Sequence, residues 1–389
     1  MPPGSPGDAG RDEGRLPWDD APVHPDRAPR LAVAPLAAGV AATVVATVVA
    51  SPVAAHGPVP LEPPGAANLI LGWSFEPALT LPLVAAAVVW WRLLGAVNRA
   101  HPARPVTGLR RWPFLAGLLA IAIALQSGIE RYDTTLFSIH MVQHLILTLV
   151  APLLLALGAP VTQLLRAASP ATRARWLLPL LRSRAIEVVS HPVVAGVAFA
   201  SVMWASHFSP LFDLSLENPL VHDLEHGLFL VAGILFWWPV VGLDPAPRRM
   251  RHPGRILYLF LQMPQNSFLA MAILFASAPL YPHYASLGSP YGIDALADQR
   301  LAAGLMWFVG DAIFLAALLA VLAGWMRSED RGAAAAERRA DIERDRIRDR
   351  EAALRRRRAG DLEATTGPPA QPEVDPRALP GMGEASRPR

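Results

Sequence analysis

His140-Met141-Val142-Gln143-His144 opens a run, Leu145-Ile146-Leu147-Thr148-Leu149-Val150-Ala151-Pro152-Leu153-Leu154-Leu155-Ala156-Leu157, that is almost purely apolar. A helix sets residues four apart one above the other on a single face, so His140 and His144 share a side. A second pair, His222 and His226, opens another apolar run. Runs of about 20 apolar residues are what a helix needs to cross a bilayer. If both pairs enter the membrane from the same side, four imidazoles crowd one end of the bundle.

Working outward, the whole chain has this character. Its 389 residues are 52% hydrophobic and 17% charged, with a mean hydropathy of +0.31. A soluble globule would be more charged and less apolar. The reading is an all-α polytopic membrane bundle embedded in lipid. There is no cysteine, which excludes disulfides, thiolate metal sites and CxxC redox chemistry. Lysine is absent too, and with the alanine and proline bias this suggests a GC-rich bacterial genome. The expected location is therefore a bacterial plasma membrane. A formal net charge of +3 gives no reason to expect a nucleic-acid partner.

Residues 1–30 are polar and read as a disordered cytoplasmic tail. The first apolar run spans 31–55. Its small residues Val53-Ala54-Ala55 would permit cleavage, but a preceding leader of this length argues for a retained span. Further runs lie near 77–97, 112–128, 138–158, 191–208, 223–242, 256–278 and 301–326. The expectation is eight spans, or seven if the first is cleaved, within a membrane unit of 31–326. Residues 327–389 form a charged tail, helical over about 333–358 and then disordered.

Arginine orients these spans, because cytoplasmic connectors are enriched in it. Connectors 98–111, 159–190 and 243–255 are rich in arginine, as are both tails. Connectors 56–76 and 209–221 have none, while 129–137 and 279–300 carry only Arg131 and Arg300. The alternation is unbroken across eight spans, so both termini are expected in the cytoplasm.

On this topology six of the eleven histidines reach the outer side: His140, His144, His207, His222, His226 and His283. Met141 lies beside the first pair, and Met203 one turn below His207. Acidic residues join them: Asp133, Asp213, Glu217, Asp223, Glu225, Asp294 and Asp298. A single interfacial histidine is ordinarily just an amphipathic group at the headgroup level. Two HxxxH pairs with two further histidines are better explained as metal ligands, since ionisable groups in spans are costly and mark function. Without thiolates, imidazole and thioether donors suit copper, zinc or iron. His191 and His252 each precede proline on the cytoplasmic side and read as helix-entry residues.

Three other chemistries fit the residues. His222-Asp223-Leu224-Glu225-His226 has the HxxEH form of inverted zinc proteases, although no third ligand is signalled. Histidines on facing spans can hold haem by bis-imidazole ligation. An ion pathway has little support, because Asp311 is the main charge within a span.

Several fragments, in order, resemble one family. These are Phe137-Ser138-Ile139-His140-Met141-Val142-Gln143-His144, Ala151-Pro152-Leu153-Leu154 and Gly158-Ala159-Pro160, then His191-Pro192-Val193 and His222 with His226. Phe236-Trp237-Trp238-Pro239, Tyr281-Pro282-His283-Tyr284 and Asp298-Gln299-Arg300 before Gly304-Leu305-Met306-Trp307 complete the set. The chain resembles the CtaG family of assembly factors linked to caa3-type cytochrome c oxidases, over roughly residues 70–326. The resemblance implies a non-enzymatic role in oxidase maturation, with copper delivery as its chemistry. It further implies oxidase subunits, and a copper donor protein, as partners. The candidate copper ligands are then His140, His144, His207, His222, His226, His283, Met141 and Met203. A metal-free scaffold for oxidase assembly is the competing expectation.

Overall fold

The computed structural model describes residues 59–366, with side chains through residue 358. The apolar run at 31–55 and the tails 1–30 and 367–389 lie outside the described residues. Every regular element among the described residues is helical.

Six helices are long and apolar enough to cross a membrane, or seven if one bent pair is a single span. Six of the seven apolar runs after residue 58 coincide with these six helices, and the run at 191–208 coincides with the first helix of the bent pair. Helix α1 is Pro77–Ala100. Helices α2 (Gly108–Gln126) and α3 (Gly128–Tyr132) follow one another across Ser127. Helix α4 (Phe137–Leu145) passes through a π-helical turn, Ile146–Val150, into α5 (Ala151–Leu157). Helices α6 (Pro192–His207) and α7 (Leu211–Glu217) are the bent pair, at 66°. Helices α8 (Pro219–Val241), α9 (His252–Leu274) and α10 (Ala295–Thr366) complete the set.

Local chemistry explains the helix starts. Proline is favoured in the first helical turn because its missing N–H would have no partner there. Pro192 and Pro219 take that place, and the Asn218 side chain accepts from the Leu220 and Val221 amides. His191 caps α6 through Nδ1, which accepts from the Val193 amide at 3.3 Å, as the helix-entry reading expects. His252 opens α9. The π turn sits just before Pro152, which cannot donate to the preceding turn and so disrupts regular bonding there.

Helix α8 is the hub. It packs on α5, α6, α7 and α9, and 61% of its most apolar window is buried, more than in any other candidate span. Its approach to α5 is close. A Cβ on Gly233 would fall 2.3 Å from the Thr148 carbonyl oxygen and 2.6 Å from Pro152 Cγ. Only glycine fits, and small residues at such crossings let helix backbones meet in lipid.

Contacts divide the connectors into two groups. At one end His101 Nε2 meets the Arg166 carbonyl at 3.1 Å, Arg110 donates to the Leu157 carbonyl, and Arg248 pairs with Glu187. These contacts tie together the arginine-rich connectors. At the other end Tyr132 donates to Glu62 O, His283 Nε2 to Thr134 O, and Tyr281 to His207 O. Those are the arginine-poor connectors, and both HxxxH pairs begin beside them.

The chain divides into two compact units at Leu322/Ala323. The second contains the charged continuation of α10. Its ion pairs are exposed and mostly three residues apart: Asp341–Arg344, Glu343–Arg346 and Asp345–Arg348, with Glu351–Arg355 at four.

Candidate metal centre

The opening turns of α4 and α8 face each other, and their histidines meet. His140 and His144 have ring centroids 4.0 Å apart, and His222 and His226 4.2 Å apart. His140 stacks on His222 at 5.5 Å with the ring planes 8° apart. The rings lie in the opening turns of their helices, and the surrounding protein buries them, leaving them 0–5% exposed. Phe137, Phe212 and Phe229 wall them in, the last at 4.2 Å from His144.

Helix α7 explains how a fifth histidine joins. The 66° bend after His207 folds Phe212 back over the pairs. His207 then lies 6.1 Å from His144, ring to ring. Its Nδ1 is 2.7 Å from the Met203 carbonyl, which can only accept, so Nδ1 carries the proton. The lone pair is therefore on Nε2, which is buried without a hydrogen-bond partner. Metal-binding histidines are characteristically held in this way, with the second nitrogen donating to a carbonyl.

His144 is buried as well. Both ring nitrogens are buried and neither has a hydrogen-bond partner. A neutral imidazole carries one donor and one acceptor, and each costs about 1–3 kcal/mol when buried unmet.

Carboxylates complete the centre. Three sets of donor atoms each lie within 4.8 Å of one another: Asp133, His140 and His222; His140, His144 and Glu225; Glu130, Asp133 and His226. Asp133 Oδ2 is 3.4 Å from His222 Nε2. Burial pushes the Asp133 carboxyl well above the usual carboxylate range, although the Thr134 amide donates to it. Tyr284 donates to the Asp133 carbonyl at 2.6 Å, and burial raises its own pKa, so it remains a phenol donor.

Three candidate residues have contacts of their own. His283 is spent on the Thr134 carbonyl through Nε2 at 2.9 Å, and its amide donates to Asp213. Met141 is buried in a different cluster, with Phe137, Tyr281 and Met306. Met203 contributes its carbonyl to His207 and packs its side chain on the apolar core. Among the acidic residues, Asp298 accepts from the Ser138 amide and Asp294 from the Ala297 amide, both capping duties.

Two residues were missed in sequence. Gln143 is fully buried and spans the gap between Glu130 and His226. Glu130 sits in a connector where only its arginine neighbour carried information. The available signal was helical spacing: Gln143 is one turn from His140, and so on its face.

Geometry bears on the competing chemistries. No donor set of the described residues contains both His222 and His226, as an HxxEH zinc site requires. Rings in such close contact leave no slot for a porphyrin between the pairs. An apolar cavity of about 430 Å³ lies elsewhere, lined by Trp90, Phe114, Leu155 and Trp238.

This is a polytopic helical membrane protein with a buried imidazole–carboxylate cluster at one end of its bundle. The chain belongs to the cytochrome c oxidase caa3 assembly factor family, whose model matches residues 87–328. The match covers most of the region of resemblance seen in sequence. Over 287 residues, 72% of this chain, it is 33% identical to uncharacterized proteins of Mycobacterium bovis and Mycobacterium tuberculosis. It is 31% identical to an uncharacterized protein of Mycobacterium leprae. The matched region covers 43% of each relative, so the chain spans less than half their length. No solved structure matches.

Proposed function

We propose that this protein carries copper as cargo during assembly of a caa3-type oxidase, loading it into an oxidase subunit. It does so without catalysis, from a bacterial plasma membrane. Its histidine end faces outward, because the opposite end holds the arginine-rich connectors. One observation carries the reading: His144, with both nitrogens buried and unpartnered, lies among three further imidazoles and His207. An ion takes up the donor electrons that the fold leaves unused.

The donor set suits copper. Imidazole binds both of its common oxidation states, and thiolates are not available. His140, His144 and Glu225 form one compact triad, and His207 approaches it through Nε2. Asp133 holds His222 as an orienting partner. A carrier must release its ion, and a site of few, burial-shielded donors permits that by a small movement of α7 or α8. The partners on this reading are an oxidase subunit as acceptor and a copper protein as donor.

The test is metal content of purified protein equilibrated with Cu(I) under reducing conditions. The unsubstituted chain should retain copper, and His140→Ala with His144→Ala should retain none while still inserting in the membrane. Equal copper in both would end the carrier reading. Absence of copper in both, with oxidase assembly intact, would establish a scaffold instead.

A further inference from the structure

Gln143 is held by three hydrogen bonds. Its Nε2 donates to the Ala124 carbonyl at 3.1 Å and to Glu130 Oε2 at 2.6 Å. Its Oε1 lies 3.0 Å from His226 Nε2. The Ala124 carbonyl fixes which way the amide points, because a backbone carbonyl cannot donate. Turning the amide over would set oxygen against oxygen at Ala124. Oε1 must therefore face the imidazole, and an amide oxygen only accepts. His226 has to donate from Nε2.

We propose that Gln143 is a positioning residue that fixes the proton of His226 on Nε2. That nitrogen is thereby closed to an ion, and any bond from His226 to metal runs through Nδ1. The choice of nitrogen in a ligating histidine is set by the hydrogen bond its other nitrogen makes. Here that bond comes from a side chain on α4, the helix that carries His140 and His144. Ala124, in the preceding span, and Glu130, in the connector that follows it, hold the side chain in turn. The two HxxxH pairs are thus joined by a rigid polar strut as well as by ring contact. Gln143 is 0% exposed, which shields the strut from competing water.

The inference rests on the copper reading only for its first readout. Gln143→Met keeps length and removes all three bonds. In the purified full chain, competition with a colorimetric Cu(I) chelator should show a loss of about 10–100-fold in affinity, the usual cost of losing such a partner. The number of ions bound should not change. In a His226→Ala background the same substitution should cost no more than about twofold, because the residue it acts through is gone. An equal loss in both backgrounds would make Gln143 merely structural and overturn the proposal, as would unchanged affinity in Gln143→Met itself.

A second readout needs no metal. Nitrogen-15 spectra of metal-free protein should show His226 protonated at Nε2, and a tautomer mixture in Gln143→Met. Finding Nε2 unprotonated in the unsubstituted protein would overturn the proposal. If the unsubstituted chain binds no copper, the carrier reading fails alone and this measurement still decides the tautomer.

Discussion

On α9 and α10, Asp311 accepts from Asn266 Nδ2 at 3.0 Å through one oxygen and from Ser267 Oγ at 2.7 Å through the other. Asn266 also reaches the Met306 carbonyl, and Gly310 lets the helices approach, since a Cβ there would sit 2.8 Å from Asn266 Nδ2. Around His144 the opposite holds: the ring is packed by Phe229 and His140, and its nitrogens have no hydrogen-bond partner. Both clusters put polar atoms inside apolar helices. In one the polar atoms are matched to each other, and the matching joins two helices. In the other, atoms are left unmatched at a cost to the fold, which is expected where a ligand completes them. An ionisable residue in a span is thus informative only once its partners have been counted. Asp311 is a fastener; His144 is the group on which the copper proposal rests.

The largest effect expected from this contrast is at His144. His144→Leu removes the unmet nitrogens at similar volume. Copper retention should fall to background while the metal-free protein becomes more heat-stable, by about 1–2 kcal/mol. A thermal-shift measurement in detergent decides it. Lower stability would mean that the imidazole is satisfied in the folded protein, and the contrast would collapse.

Asp311→Leu should do the reverse. It strands the Asn266 and Ser267 donors, for a loss of about 1–3 kcal/mol, and leaves copper retention unchanged. Copper loss in a variant of full stability would move Asp311 from fastener to site. Gly233→Ala tests the crossing that sets the spacing of the two HxxxH helices. The added methyl cannot coexist with the Thr148 carbonyl at 2.3 Å. A destabilisation of about 1–3 kcal/mol should accompany weaker copper retention, because α8 must move away from α5. Unchanged retention would show that the centre tolerates separation of its helices.

Much of the fold was legible because lipid imposes a simple length and hydropathy rule. Each apolar run after residue 58 has its helix, and arginine content sorted the connectors into the two groups that contacts later joined. Hydropathy does not encode the 66° bend between α6 and α7, which depends on Ser209-Pro210 and on Phe212 finding the ring cluster. Nor does it encode the π turn at Ile146–Val150. Around the rings, the HxxxH spacing accounts for the pairing of His140 with His144 and of His222 with His226, while helix packing brings the two pairs together. Burial was not legible in the same way: parity assigns a residue to an end of the bundle but not to its interior. Met141 shows a second limit. It adjoins His140 in sequence, yet one residue along a helix turns the side chain by about 100°, here into the cluster with Met306. Glu130 and Asp133 carried no periodic signal because they lie in a short connector and its preceding turn.

The smallest expected effect concerns a carboxylate at the arginine-rich end, between α8 and α9. Asp244 accepts from the Val161 and Thr162 amides, the latter at 2.6 Å. Those bonds and Arg110 favour its charged form, but burial outweighs them and raises its pKa above the ordinary 3.8. Between that value and the raised one, the folded chain binds a proton that the unfolded chain has released. The contribution to stability is therefore present below about pH 3.8 and is lost as pH rises through the raised pKa. Asp244→Asn cannot titrate, so its stability should fall less than that of the unsubstituted protein as pH rises from 4. The difference between the two curves isolates this group from carboxylates at the histidine end, which both proteins share. Parallel curves would mean that the two amide bonds fully offset the burial of Asp244, and that this end, like the Asp311 cluster, stores no unmet polarity.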